Sequence, residues 1–142
     1  MSNSGYNNLK IYLNSTSRNK IVFHQETING LNPTNIGKEL AFRLTALPDG
    51  KDISFKAKQE LDNLLTDSAY IHPEYGKIIS LSNIGILFEP ELKIDFRYIL
   101  DKYSTENILF IHWNGKNDQN DLYFLSEEGI KINIDNLSYI KL

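Results

Sequence analysis

The residues with the clearest chemical meaning follow an apolar segment, Lys77–Leu81, which the sequence predicts to be a buried strand. In nucleoside-triphosphatases of the P-loop kind, the strand at this place ends in an acidic residue that holds magnesium. Here the strand is followed by Ser82, Asn83, Ile84 and Gly85, and none of these side chains carries a carboxylate. The pattern therefore predicts the scaffold of an ATPase without the acids that bind its metal.

A phosphate-binding loop would need two glycines separated by four residues and then Lys followed by Ser or Thr. The closest segment, Gly30–Glu39, reads GLNPTNIGKE. Its glycines are separated by six residues, Glu39 replaces the hydroxyl, and Pro33 removes a backbone N–H that would face the phosphate. Gly37 and Lys38 also fall inside a predicted helix. We interpret the segment as a helix start with an incidental Gly-Lys pair.

A second predicted strand, Ile108–His112, is followed by Trp113, Asn114 and Gly115. Ligands of open α/β sheets bind at the carboxyl ends of the strands, so Asn114 could sense a phosphate there and Trp113 could stack on a base. The candidate nucleotide-binding residues are therefore Ser82, Asn83, Trp113 and Asn114. The alternative is a strand end at which Trp113 packs against a neighbour and Asn114-Gly115 forms a turn.

Other catalytic and metal-binding patterns are lacking in the sequence. Glu89 and Glu91 are interpreted as residues that favour the dipole at a helix start. The three histidines are far apart and form no His-x3-His motif: His24, His72 and His112. The chain contains no cysteine, which excludes thiolate zinc sites and cysteine nucleophiles. We therefore predict no catalytic residue, no metal site and no cofactor.

The composition is typical of a folded protein of one domain. The chain has 142 residues, of which 41% are hydrophobic and 23% charged, and this is enough for a core. Its net charge of −3 argues against autonomous nucleic-acid binding, so nucleic acid is expected as a partner only indirectly. No signal-peptide pattern opens the sequence, and no apolar run approaches the ~20 residues of a membrane span. We expect a cytoplasmic protein that does not enter a membrane.

Hydrophobic periodicity predicts a single α/β domain over residues 1–142, with residues 1–8 frayed. The predicted elements are strand Lys20–His24, helix Pro33–Leu47 capped by Asn32, helix Ser54–Asp67, strand Lys77–Leu81, helix Ile94–Tyr103, strand Ile108–His112, and strands Leu122–Leu125 and Ile130–Ile134. The last two are expected to close the sheet edge as an antiparallel ribbon. Strands that alternate with helices predict a small three-layer domain with a mostly parallel, mixed sheet.

Two segments carry a resemblance to a known family. The run Asn83–Gly115, NIGILFEPELKIDFRYILDKYSTENILFIHWNG, resembles the small P-loop protein of type-3 BREX phage-defence systems, the BrxF family. In that family a strand ends in Asp-Asn-x-Glu, followed by Leu-Phe-x-Pro-x-Leu, a helix, and an apolar strand that ends near a Trp. Asn35–Pro48, NIGKELAFRLTALP, resembles the family's Asn-Leu-x-Leu-Glu-Leu-Ser-x-x-Leu-Leu helix. The resemblance covers the chain from about Asn35 to its end.

The chain departs from this family at the residues that carry its chemistry. The family's phosphate loop, which lies between its first strand and this helix, is missing here. The family's Asp corresponds to Ser82 and its Glu to Gly85, and only Asn83 is retained. Phosphoryl transfer relies on metal and charge clamps, so the resemblance implies a degenerate relative that keeps the P-loop-type fold without ATP turnover.

The resemblance therefore implies a non-catalytic accessory subunit of a multi-gene prokaryotic anti-phage defence system. Such a subunit would act through protein–protein contacts with other subunits, and a homo-oligomer stays open. The alternative is a nucleotide-binding regulatory or ATPase-like protein with an atypical site near Ser82, Asn83 and Trp113.

Overall fold

Alternate residues of the central strands bury apolar side chains on opposite faces of one sheet. Ile21 and Phe23 lie on one face and Val22 on the other, and all three are buried. The computed structural model describes residues 3–45, 53–113, 116–117, 121–123 and 131–142. These residues confirm a small three-layer α/β domain with a mostly parallel, mixed sheet.

Four helices and nine strands are found in the described part of the chain. The helices are α1 (Asn3–Leu13), α2 (Ile36–Thr45), α3 (Ile53–Ser68) and α4 (Phe96–Tyr103), and two 3₁₀ turns span Ile84–Phe88 and Pro90–Leu92. The strands are β1 (Ile21–His24), β2 (Thr34–Asn35), β3 (Tyr70–His72), β4 (Gly76–Ser82), β5 (Ile108–His112), β6 (Lys116–Asn117), β7 (Asp121–Tyr123), β8 (Lys131–Asn133) and β9 (Ile140–Lys141). No helix among the described residues is both long enough and apolar enough to cross a membrane.

The main sheet has the strand order β2-β4-β5-β1-β9, and all of these pairs are parallel. The short strand β3 pairs antiparallel with the first residues of β4, whereas β2 pairs with its last residues. In the centre of the sheet, β1 and β5 run in register from Ile21–Leu109 to His24–His112. This register places the carboxyl ends of the two strands side by side.

The two faces of the sheet have separate hydrophobic cores. Helices α2, α3 and α4 pack with both 3₁₀ turns on the face that carries Phe23 and Leu109. Helix α1 packs on the opposite face through Leu9, next to Val22 and Phe110. The three layers follow from this division.

Residues 3–8, which were predicted to be frayed, belong to helix α1 (Asn3–Leu13). Helix α1 begins at Asn3, because its next turns have a partner on the sheet. The Tyr12 hydroxyl accepts a hydrogen bond from Ile21 N–H at 2.9 Å and lies within 3.0 Å of the carbonyl oxygens of Asn19 and Ser138. These contacts hold α1 against the start of β1 and against the segment that precedes β9.

Helix α2 begins later than predicted. Thr34 and Asn35, predicted as helical, pair with β4, and the helix starts at Ile36. In the first turn of the helix, the Lys38 N–H donates a hydrogen bond to Asn35 Oδ1 at 3.0 Å. The capping side chain is therefore that of Asn35 and not, as predicted from sequence, that of Asn32. The predicted end of this helix lies outside the described residues.

The edge of the main sheet is not closed by the predicted antiparallel ribbon. Strands β6, β7 and β8 form a separate antiparallel sheet, and their described residues overlap the predicted strands only in part. The edge position beside β1 is taken by β9, where Leu142 N–H donates to Phe23 O at 2.9 Å. The Tyr139 ring packs edge-on against Phe23 and helps to fix this strand.

Candidate functional site

The N-terminus of α2 is where a P-loop protein would bind phosphate through free backbone N–H groups. In this chain Gly37 N–H donates to the Asn83 carbonyl at 2.9 Å, and Lys38 N–H donates to Asn35 Oδ1 at 3.0 Å. The Asn83 side chain donates to the same Asn35 oxygen at 2.9 Å. Two of the backbone N–H groups that could hold a phosphate are thus bonded to the protein itself.

Gly37 allows Asn83 to approach the helix closely. A Cβ atom on Gly37 would lie 2.5 Å from Asn83 Nδ2 and 3.2 Å from the Asn83 carbonyl oxygen. Asn83 itself has a φ of 52°, in the left-handed region that Asn tolerates better than most residues. The Gly-Lys pair, interpreted from sequence as incidental, therefore has a packing role in which the glycine matters.

Ser82 lies beside this contact at the end of β4. It is paired with Asn35 of β2, and its hydroxyl is 3.4 Å from the Thr34 carbonyl oxygen. Ser82 and Asn83, two of the four candidate residues, both contact β2 at Thr34 and Asn35. Their polar groups serve to join β2, β4 and the start of α2.

Trp113 occupies a different environment, inside the core on the α2–α4 side of the sheet. Only 3% of its surface is exposed. Its ring lies 6.2 Å from Phe23, 6.0 Å from Phe88 and 6.3 Å from Phe96 between centroids. A ring held by three others is not placed to stack on a base, so the packing alternative is the one that the structure supports. Asn114 lies outside the described residues.

The acidic residues Glu89 and Glu91 do not open α4. Both are exposed; Glu89 is the N-cap of the second 3₁₀ turn, and Glu91 lies within it. The N-cap of α4 is Asp95, whose carboxylate accepts the Tyr98 N–H at 3.1 Å. The glutamates, interpreted from sequence as residues that favour the dipole at the start of this helix, therefore lie at the start of the 3₁₀ turn instead.

Sequence reasoning missed a pair of histidines. His24 and His112 end two apolar strands, and the parallel register of β1 and β5 brings their ring centroids to 5.5 Å. His24 Nδ1 lies 2.8 Å from the Glu26 carbonyl oxygen and His112 Nε2 lies 2.9 Å from that of Gln25. The sequence feature that could have predicted this pair is that each histidine is the last residue of a buried strand.

His72 lies elsewhere, at the end of β3. Its ring stacks on Tyr75 with centroids 4.6 Å apart, and its Nδ1 accepts the backbone N–H groups of Glu74 and Tyr75. Among the described residues no group of three or more His, Asp or Glu side chains is arranged to hold a metal ion.

His24 is expected to make stability depend on pH. Burial lowers the pKa of its imidazole from the usual value of 6.5, and the nearby His112 lowers it further against an opposing hydrogen bond to Glu26. The unfolded chain therefore binds the proton first, so the stabilisation is complete above about pH 6.5 and declines as the pH falls below it. Chemical denaturation at pH 7.5 and 5.5 measures this decline.

The control for this prediction is His24→Phe, which keeps a ring and removes the titration. We expect a smaller loss of stability between the two pH values in this variant. The ionisable residues around the position, Glu26, His112 and Lys141, are the same in both proteins and therefore do not account for the difference between them. An unchanged pH dependence would assign the effect to other groups.

The outward surfaces of α2 and α3 carry large apolar side chains. Phe42 is 71% exposed and Phe55 62%, and Ile53 is also exposed. Arg43 bonds Glu60 and Asp67 at 3.6 and 3.7 Å, which ties the two helices together. We call the exposed set the α2–α3 surface: Lys38, Phe42, Ile53, Phe55 and Lys58.

The two charged residues of this set are lysines, and Glu39 is next to Lys38 on α2. Lys38 lies one turn before Phe42 and Lys58 one turn after Phe55, so each aromatic ring has a lysine beside it. No ion pair involves Lys38 or Lys58 within the described ranges of the chain.

Comparison of the chain with protein-family models, with curated proteins and with solved structures found no match in any of the three.

Proposed function

We propose that this chain is a non-catalytic accessory subunit of a multi-gene prokaryotic anti-phage defence system and acts through protein–protein contacts. The resemblance of the segment from Asn35 onward to the BrxF family supports the biological setting. The observation that carries the non-catalytic role is the bonding of the Gly37 and Lys38 N–H groups to Asn83 and Asn35. A phosphate would have to displace these contacts.

The α2–α3 surface is the proposed contact area. Aromatic side chains are enriched at protein interfaces, and Phe42 and Phe55 are among the most exposed apolar residues that the structure describes. Because Lys38 and Lys58 flank them, the partner is expected to offer an apolar pocket with carboxylates at its rim. Glu60 and Asp67 of α3 are paired with Arg43, which leaves Glu39, one turn before Phe42, as an acid of α2 that the partner would also meet.

Co-expression with the products of neighbouring genes tests this proposal. We expect the tagged chain to form a complex of fixed stoichiometry with one of them, measured by size-exclusion chromatography with light scattering. The double variant Phe42→Asp, Phe55→Asp should weaken this complex at least about tenfold, since both apolar anchors are lost.

The matched control is Ile11→Asp. Ile11 is as exposed as Phe42, at 71%, but lies on α1 across the sheet. This variant should keep the complex. A chain that stays alone with every neighbour, or a complex that Ile11→Asp weakens equally, would contradict the proposal.

Nucleotide binding is tested separately by thermal unfolding with millimolar ATP or GTP and magnesium. A ligand present at a hundred times its Kd raises the free energy of unfolding by about 2.7 kcal/mol. We expect no change in Tm, because the α2 N-terminus is bonded to Asn83 and Trp113 is buried. A rise of several degrees that needs magnesium would support the regulatory alternative instead.

A further inference from the structure

A cavity of about 510 Å³ lies between α3 and α4, at the amino ends of β4 and β5. It is therefore at the opposite end of these strands from the P-loop-like contact between α2 and Asn83. Its volume falls within the roughly 300–1,000 Å³ that is usual for small-molecule sites. Three cations and three carboxylates line it, so that the charges of the lining cancel: Arg18, Lys77, Lys102, Asp62, Asp101 and Glu106.

Four of these six charges are paired within the protein. Arg18 Nη1 lies 2.6 Å from Asp101 Oδ1, and Lys102 Nζ lies 3.3 Å from Asp62 Oδ1. The Asp62 carboxylate also accepts a hydrogen bond from the Tyr103 hydroxyl. Because Asp62 belongs to α3 whereas Lys102 and Tyr103 belong to α4, these bonds join the two helices that form the walls of the cavity.

The two remaining charges, Lys77 and Glu106, are opposite in sign. Both residues are exposed, and neither forms an ion pair, with the other or with any residue in the described part of the chain. They follow the same register, because Ile78 and Ile108 are Cα partners on β4 and β5. From a strand spacing of about 4.8 Å and a Cα step of about 3.8 Å, their Cα atoms are no more than roughly 9 Å apart.

A cavity with one free cation and one free carboxylate is complementary to a molecule that carries both charges. A ligand with a single charge would be attracted by Lys77 or Glu106 and repelled by the other. Walls of low dielectric constant focus the field of such groups, so the contrast is larger here than on an open surface. Apolar contact area is offered beside them by Ala69 and by the ring of Tyr98, which is 56% exposed.

We propose that this cavity binds a free amino acid with an apolar side chain, whose carboxylate contacts Lys77 and whose ammonium group contacts Glu106. The side chain of the ligand would pack against Tyr98. Both charged contacts are made to exposed residues, so a ligand reaches them without displacing a buried group. The proposal is independent of the partner-binding role, since no residue of the α2–α3 surface lines this cavity.

Three matched probes test the proposal on the unaltered protein. L-Phenylalanine carries both charges, phenylalaninamide lacks the carboxylate, and N-acetylphenylalanine lacks the ammonium group. In ¹H–¹⁵N NMR titrations, we expect L-phenylalanine to shift the backbone resonances of Thr66, Lys77 and Glu106 in a saturable way. Its Kd should be at least about tenfold lower than that of either analogue, because each analogue loses one charged contact.

Two variants assign the two charges. Lys77→Met should abolish the preference for L-phenylalanine over phenylalaninamide, and Glu106→Gln should abolish the preference over N-acetylphenylalanine. Both positions are exposed, so the fold should tolerate these changes. The control is Lys38→Met, which removes an exposed lysine outside the cavity and should leave all three affinities unchanged.

Equal binding of the three probes, or no saturable shift of these resonances with any of them, would overturn the proposal. A Lys77→Met protein that keeps the full preference for L-phenylalanine would overturn it as well. Tighter binding of N-acetylphenylalanine than of L-phenylalanine would replace it with an anion site at Lys77.

Discussion

Replacing Trp113 with alanine is expected to lower the free energy of unfolding by about 3–5 kcal/mol. The indole ring is 3% exposed and packs among Phe23, Phe88 and Phe96, so its removal leaves a cavity that these rings cannot fill without moving. For a chain of 142 residues, such a loss lowers Tm by roughly 10–20 °C. Differential scanning calorimetry measures it directly.

Tyr98→Ala is the control for this effect, because Tyr98 is also aromatic but 56% exposed. We expect its loss of stability to be under about 1 kcal/mol. Trp113 is the only tryptophan in the chain, so its fluorescence reports on this site alone. A stable Trp113→Ala protein would contradict the packing of this ring in the core, and emission that nucleotide quenches would place the ring near a ligand.

Replacing Gly37 with alanine is expected to cost about 1–3 kcal/mol, the usual range for overpacking. Alanine normally favours a helix by about 1 kcal/mol over glycine, so the substitution would otherwise stabilise the chain. The opposite sign is expected here because the new Cβ would lie 2.5 Å from Asn83 Nδ2. Urea denaturation of the purified variant gives the change in the free energy of unfolding.

A double-mutant cycle with Asn83→Gly isolates this contact. Glycine at position 83 accepts the φ of 52° without strain and removes the side chain that alanine would meet. We expect Asn83→Gly alone to change stability by less than about 1 kcal/mol, and the double variant to recover most of the loss. Effects that add to within about 0.5 kcal/mol would mean that the two residues are not coupled.

The parts of the fold that were predictable from sequence are those in which local pattern and burial agree. β4 and β5 match their predicted segments closely, because the middle of each strand is buried on both faces and is mostly apolar. Helix α1 was not predicted, since its stability depends on bonds from Tyr12 to residues as distant as Ser138. The place of β9 likewise depends on a pairing with β1 that spans most of the chain.

The candidate site shows the same division. Ser82 and Asn83 were located correctly at a strand end, but their partner, Asn35, belongs to a strand of two residues that no periodicity reveals. His24 and His112 were set aside because they are far apart in sequence, which says little about residues on neighbouring parallel strands. For Trp113, the sequence located the residue correctly at a strand end. That position did not determine whether its ring points to a ligand site or into the core, where the structure places it.

The short strands at the borders of the main sheet bear on self-association. β2 and β3 cover the outer side of β4 from its two ends and leave Ile79 and Ser80 between them, while β9 adds two residues, one of them Lys141, beside β1. Short edges and an edge lysine are features that hinder strand-to-strand aggregation. The main sheet, as far as the structure describes it, therefore offers little free backbone for strand-to-strand polymerisation, and a molecule that binds by adding a strand would find few residues to pair with.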